Sequence, residues 1–388
     1  MRYRTLGRTG LRVSEVGLGG EWFKGLTVEQ SIRIIDQVQA CGMNYMDIFM
    51  PEPEIRDLFG QALAGRREQF LIQGHLCAAC ENGQYVRTRD REKTRRSFED
   101  LLTRLRTDYI DIGMLHYVDS MEDYQAVFET ELINDALALR KAGVIRFLGM
   151  SSHNPLVALR AVESGLIDVL MFSINPAYDL ERPETELNEL FVFLGMDPQA
   201  MTIDETRQRL YTACEASGVA ITVMKALGAG TLLRAESSPF GRAMTVPQCV
   251  RYALDRSGVR VVLIGCRSPE EVLEASRYDQ ADPEELDYST VLTAPEGFRA
   301  TGRCMYCNHC LPCPAGIDIG TVTKFLDMAE QQKMVPDTVG QHYWALNATA
   351  EDCLNCGRCE QNCPFKVPVR KKMERAQEIF RSCRPAGR

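Results

Sequence analysis

Eight of the fifteen cysteines in this chain fall in two short runs near its C-terminal end. The first run holds Cys304, Cys307, Cys310 and Cys313 before Pro314, and the second holds Cys353, Cys356, Cys359 and Cys363 before Pro364. Three thiols separated by pairs of residues can be presented by one tight loop to three irons of a cubane. The fourth, just before proline, reaches across to a neighbouring cluster. This is the ligand pattern of two [4Fe-4S] clusters. Crossed in that way, Cys304, Cys307, Cys310 and Cys363 hold one cluster, and Cys353, Cys356, Cys359 and Cys313 hold the other. The second run, C-x2-C-x2-C-x3-C-P, has the full bacterial spacing; the first closes one residue early, as C-x2-C-x2-C-x2-C-P.

Two other uses of cysteine fit less well. Disulfides need an oxidising compartment, whereas the opening MRYRTLGRTG carries no apolar signal segment, and no run of about 18 apolar residues occurs. Zinc ribbons use pairs of C-x2-C without a third and fourth cysteine at the same spacing before proline. The expectation is a cytoplasmic protein, at home where oxygen is scarce, with no membrane association. A net charge of -8, with basic residues scattered along helical stretches, also argues against nucleic-acid binding.

The elements that must position the rest follow from periodicity. At 388 residues and 45% hydrophobic, the chain can hold a barrel-sized domain and a small one. Short β-rich runs alternate with amphipathic stretches, which predicts βα units around a parallel sheet. Strands are expected near Glu15 to Leu18, Tyr45 to Asp47, Phe70 to Gly74, Ile110 to Leu115, Phe147 to Met150, Val169 to Ser173, Ala220 to Met224 and Val261 to Ile264. Between them lie helix patterns such as Val28 to Ala40 and Arg91 to Leu105, apolar at intervals of three and four. The fold class is therefore α/β, a (β/α)8 TIM barrel over residues 1–278, with Met1 to Val13 as a hairpin at its bottom. A linker is expected over 279–302. A small ferredoxin-like domain of helices and loops then carries the two clusters over 303–370, with helices at Thr321 to Lys333 and Pro336 to Leu346. A basic tail, 371–388, follows.

In such barrels the functional residues sit at the C-terminal ends of the strands, where the βα loops form an open mouth. Three of the five histidines fall there, on consecutive strands: His75, His116 and His153. Asp47 ends the second strand and Glu52 follows in its loop. Cys77 and Cys80 lie just after His75; a C-x2-C pair is a redox dithiol, half a metal site, or two ordinary loop thiols. His75, His116, Asp47 and Glu52 also have the composition of an open transition-metal site.

The barrel resembles the aldo/keto reductases. The segments YRTLGRTGLRVSEVGLG (Tyr3 to Gly19), RLRTDYIDIGMLH (Arg104 to His116), RFLGMS (Arg146 to Ser151), MKALGAG (Met224 to Gly230) and GCRSPEEV (Gly265 to Val272) carry the likeness. The whole chain is similar to a branch of that family with a C-terminal ferredoxin-like domain. The resemblance implies a tetrad of Asp, Tyr, Lys and His, in which tyrosine protonates the carbonyl as hydride arrives. Here the aspartate is Asp47 and the histidine is His116, but Glu52 stands in the tyrosine position and His75 in the lysine position. Both replacements are acid/base residues. A glutamic acid donates a proton near neutral pH only if burial raises its pKa above about 4.3. Tyr117 and Tyr178 are alternative donors.

The resemblance also implies a dinucleotide site. The positions that would hold and stack on the nicotinamide read Ser151, Ser152, Met171 and Met224, so the carboxamide site departs from the family pattern. The phosphate-facing positions Gly228, Gly230, Arg267 and Ser268 keep suitable chemistry, since glycine admits close backbone approach and arginine pairs with phosphate. NAD(P)H thus stays open as a donor, as does flavin as a mediator. Three readings follow. The first is an iron-sulfur oxidoreductase that reduces a small-molecule substrate with electrons relayed by its clusters from an external ferredoxin or flavodoxin, with His153, Asn175 and Lys225 as substrate contacts. The second is an NAD(P)H-dependent carbonyl or alkene reductase with clusters in a secondary role. The third is a non-catalytic electron-transfer or redox-sensing protein.

Overall fold

The computed structural model describes residues 1–181, 202–288, 291, 304, 310–330, 334–335, 337–363 and 366–385. They form two units, one of Met1–Gly83 with Arg87–Phe298, the other of Gln84–Val86 with Arg299–Arg388.

The larger unit opens with an antiparallel hairpin of β1 (Tyr3–Thr5) and β2 (Arg12–Ser14). Eight parallel strands then close a barrel: β3 (Val16–Gly19), β4 (Tyr45–Ile48), β5 (Leu71–Leu76), β8 (Ile110–Leu115), β9 (Ile145–Ser152), β10 (Val169–Ser173), β13 (Ala220–Met224) and β14 (Val259–Gly265). Two short pairs interrupt the order, β6 (Ala78–Glu81) with β7 (Gln84–Arg87), and β11 (Leu180–Glu181) with β12 (Thr202–Ile203). All eight expected barrel strands are present. The β6–β7 hairpin was not foreseen, although Asn82 and Gly83 mark it: both have positive φ (53° and 73°), as the tight turn of a hairpin requires.

Helices wrap the barrel because their apolar stripes have no other surface to cover. Val28–Ala40 buries Ile34, Ile35 and Val38, and its Thr27 and Gln30 make a reciprocal cap. Arg91–Leu105 buries Phe98, Leu101 and Leu105 and takes its N-cap from Asp90. At the barrel bottom, Leu6 and Val13 of the hairpin join Tyr45, Ile112, Val169, Ala220 and Val261 in one interior cluster, as expected of a plug. Arg8 fastens it, donating to Asp168 Oδ1 at 2.9 Å and to Ile167 O at 2.6 Å.

Part of the segment expected as a linker is packed on the barrel: Leu286 and Val291 are buried, and Tyr288 donates to Asp255 Oδ2 at 2.8 Å. The smaller unit has helices Ile319–Glu330, Asp337–Trp344, Arg358–Asn362 and Val369–Phe380 around Val322, Leu326, Tyr343 and Phe380. The rings of Tyr343 and Phe380 stack at 3.8 Å. The stretch expected as a basic tail therefore contains a helix, with Val369, Met373, Ala376 and Phe380 buried along one stripe. Among the described residues no helix is long and apolar enough to cross a membrane.

Candidate active site and cluster-binding recess

Strands β4, β5 and β8 are neighbours, so the side chains that alternate inward near their C-terminal ends converge. Asp47, His75 and His116 form one hydrogen-bonded line. His75 Nε2 lies 2.9 Å from Asp47 Oδ1, and His75 Nδ1 lies 2.7 Å from His116 Nδ1. None of the three is more than 3% exposed. Burial, reinforced by the neighbouring His75 and by Arg89, pushes the His116 imidazole well below its ordinary pKa. Phe49 stacks on His116 at 5.8 Å and seals that side.

Glu52 stands apart from this line, at the N-terminus of the helix Pro53–Ala62, with its carbonyl accepting from the N–H groups of Ile55 and Arg56. Its side chain is buried, and Oε2 has no hydrogen-bond partner among the described residues. Burial raises this carboxyl above its ordinary value, against the pull of Lys24 and Arg56. Cys77 and Cys80 differ in setting. Cys77 is wholly buried with a left-handed backbone (φ 65°), and Cys80 is half-buried; burial raises both thiols, with Glu52 and Glu54 adding to the effect at Cys80.

Left-handed residues recur around the mouth. Cys77, Tyr117 and Lys225 each follow a barrel strand directly or within two residues, each at φ between 53° and 65°. Such a conformation costs roughly 1–2 kcal/mol for a side chain with a Cβ, so the surroundings must hold it. At Tyr117 they do: its N–H donates to Ser151 Oγ at 2.8 Å, and its carbonyl accepts from Arg89 at 2.6 Å. At Lys225 the carbonyl accepts from Asn175 Nδ2 at 2.8 Å, while Asn175 Oδ1 accepts from the Tyr178 N–H at 3.1 Å. Asn175 therefore ties the sixth and seventh strand loops together. His153 is held by Asp119, which accepts from its backbone N–H at 2.6 Å and faces its Nδ1 at 2.9 Å.

Of the dinucleotide positions, Ser151 and Ser152 bond within the protein, the first to Tyr117 N and the second to Asp119 Oδ1 at 3.0 Å. The Arg267 guanidinium covers the Trp22 ring at 4.4 Å, and Ser268 caps the helix Pro269–Ser276. Gly228 and Gly230 both take positive φ in the turn after β13.

In the smaller unit, Cys313 lines one recess together with Cys353, Cys356 and Cys359, walled by Ile317, Ile319, Val369 and Met373. Four thiols around an apolar recess suit the sulfur-loving irons of a cubane. The recess is lined by these thiols without drawing them together around a single ion: among the described residues, no three histidine, cysteine, aspartate or glutamate side chains stand close enough to hold one metal ion. This applies equally to His75, His116, Asp47 and Glu52. Cys310 and Cys363 are buried in the core of the same unit and Cys304 is half-buried. Asn362 donates to Leu311 O at 3.5 Å, which brings the end of the second run beside the first. Cys307 lies outside the described residues.

Several participants were missed from the sequence: Gln73, Tyr45, Arg89 and Asp119. Gln73 had a signal, since it precedes His75 by two and must share its face.

A closed parallel barrel with acid/base side chains at the strand ends, followed by a unit bearing grouped thiols, defines a redox-enzyme architecture. The aldo/keto reductase family profile matches residues 15–249, and a 4Fe-4S dicluster domain matches residues 303–368. The chain belongs to the aldo/keto reductase family. It is 30% identical over 179 residues to the uncharacterized oxidoreductase YqkF of Bacillus subtilis, covering 44% of this chain and 56% of that protein. To L-galactose dehydrogenase of Arabidopsis thaliana it is 28% identical over 180 residues, or 43% of this chain and 54% of that one. The chain thus spans about half the length of the curated relatives it matches. Among solved structures, the fold is similar to the holo form of aldo-keto reductase AKR11C1 from Bacillus halodurans, with a TM-score of 0.59, 23% identity and coverage of 77% of this chain and 98% of that one. A putative aldo-keto reductase from Pseudomonas aeruginosa gives 0.55, 23%, 72% and 95%.

Proposed function

We propose that this chain is a reductase that binds a small organic substrate at the barrel mouth. Asp47, Glu52, His75 and His116 handle protons there, and two [4Fe-4S] clusters relay electrons from an external carrier of the ferredoxin or flavodoxin kind. The observation that carries this reading is the buried line from Asp47 through His75 to His116. When bound, the clusters supply electrons one at a time, and two together match the pair that a reduction consumes.

The side chains do the rest. Asp47 accepts from His75 Nε2–H, which leaves His75 Nδ1 to accept from His116 Nδ1–H. His116 Nε2 is then the atom that exchanges protons with the substrate. A proton taken up from solvent at Nε2 lets the Nδ1 proton pass to His75, whose positive charge is balanced by Asp47; in the reduction the Nε2 proton goes to the substrate and His75 returns its proton to His116 Nδ1. Glu52, whose carboxyl is raised above its ordinary value by burial, is a second proton source. His153 and Lys225 orient the substrate from the strand ends on either side of β10, with Asn175 holding Lys225 in place.

A rival reading keeps NAD(P)H as the hydride donor. It is favoured by the helix N-terminus at Ser268 beside Arg267 and by the glycine turn Gly228 to Gly230. One experiment weighs both. Holoprotein purified without oxygen is reduced with dithionite and mixed with a panel of carbonyl compounds, activated alkenes and reductively cleavable C–O compounds. A substrate is recognised by reoxidation of the clusters. In His116→Phe the reoxidation rate is expected to fall about 10²- to 10⁴-fold with iron content unchanged. Equal rates would overturn the proposal, and rapid bleaching of the oxidised protein by NADPH or NADH would favour the rival.

A further inference from the structure

Below Asp47 the barrel interior carries a polar group that neither the family tetrad nor the reading above uses. Gln73 is fully buried on β5, in the layer beneath His75. Its carboxamide is bonded on every side. Oε1 accepts from Tyr45 OH at 2.9 Å and from Thr222 Oγ1 at 3.1 Å. Nε2 donates to Asp47 Oδ1 at 2.7 Å and to Met171 Sδ at 3.1 Å. The amide thus has two donated and two accepted bonds, its full capacity.

The direction of these bonds matters. If the amide were turned over, its oxygen would face Asp47 Oδ1 at 2.7 Å, acceptor against acceptor. As placed, Nε2 and His75 Nε2 share the same carboxylate oxygen. Two donors meeting one oxygen leave it no role but acceptor. His75 must then carry its proton on Nε2, and its Nδ1 can only accept from His116. The order of every proton down the line follows from an amide that touches neither histidine.

We propose that Gln73 is a positioning residue: by orienting Asp47 as a double acceptor it fixes the tautomers of His75 and His116, with the His75 proton on Nε2 and the His116 proton on Nδ1. The inference rests on the reading of His116 as the proton-exchanging residue, but its test does not need turnover.

Holoprotein carrying ¹⁵N-histidine, with oxidised clusters, would be examined by NMR at neutral pH, each of the five histidines being assigned by substitution. The expected result is His116 protonated on Nδ1 and bare on Nε2, with His75 the reverse. In Gln73→Met, which keeps the length but removes the amide, both signals are expected to move toward a mixture of tautomers. Gln73→Glu supplies a second variant of nearly identical shape, and here too the preference should weaken. The proposal is overturned if the wild-type His116 carries its proton on Nε2, or if both variants keep the wild-type pattern. Failure of the reoxidation test with an intact tautomer pattern would instead count against the proposed function alone, so the two claims fail separately.

Discussion

His75 and His116 meet through their Nδ1 atoms at 2.7 Å, and only one proton fits between them. Burial keeps His116 well below its ordinary value of 6.5. His116 must be protonated to act as an acid and neutral to act as a base. Reduction is thus expected to slow as pH rises above that lowered value, whereas the reverse oxidation should reach its plateau by neutral pH. Rates measured in both directions across pH 4–9 check this; identical profiles would count against His116 as the exchanging group.

Glu52 gives a second pH signature. Its carboxyl is raised in the folded protein, so the unfolded chain gives up this proton first as pH increases. The stability it contributes is complete below 4.5 and is lost as pH climbs through the raised value. Glu52→Gln removes that loss and is expected to be more stable than wild type at pH 7, by about 1 kcal/mol on the scale of a buried unsatisfied polar atom. The advantage should vanish near pH 4. Denaturant midpoints at both pH values test it, and turnover should meanwhile fall.

Cys313 tests the crossed ligand pattern. Cys313→Ala is expected to lower iron from about eight atoms per chain to about four, with a matching loss of visible absorbance. Cys80→Ser should leave both unchanged. Full iron in the Cys313 variant would show that the recess does not use this thiol.

Helix packing around the barrel is tight at Gly60, where a Cβ would sit 1.9 Å from the carbonyl oxygen of Arg104. That neighbour is backbone and cannot turn away. Gly60→Ala should therefore destabilise by about 3 kcal/mol, the upper range for overpacking, seen as a lower denaturant midpoint at constant m-value.

Much of the barrel was legible because strand and helix periods are strong signals. The histidines were legible because strand ends in a barrel face one mouth. Partners across the barrel were not. Alternation gives the face of Gln73 but says nothing of Tyr45, Thr222 and Met171 meeting it from β4, β13 and β10. Nor does spacing show that Glu52 sits apart from the histidine pair, since that depends on where the helix at Pro53 begins. The helix Val369–Phe380 shows the opposite failure: its apolar stripe at 369, 373, 376 and 380 was readable, but the many arginines and lysines around it drew attention to composition instead.

The recess formed by Cys313, Cys353, Cys356 and Cys359 joins positions forty residues apart in the chain (353 minus 313). A cluster held by all four thiolates would act as a cross-link, removing loop freedom from the unfolded state. For a loop of this length a covalent bridge is worth about 3–5 kcal/mol. Iron supply would then set the lifetime of the smaller unit as well as its redox chemistry, and oxygen damage at the recess would release the chain to proteolysis.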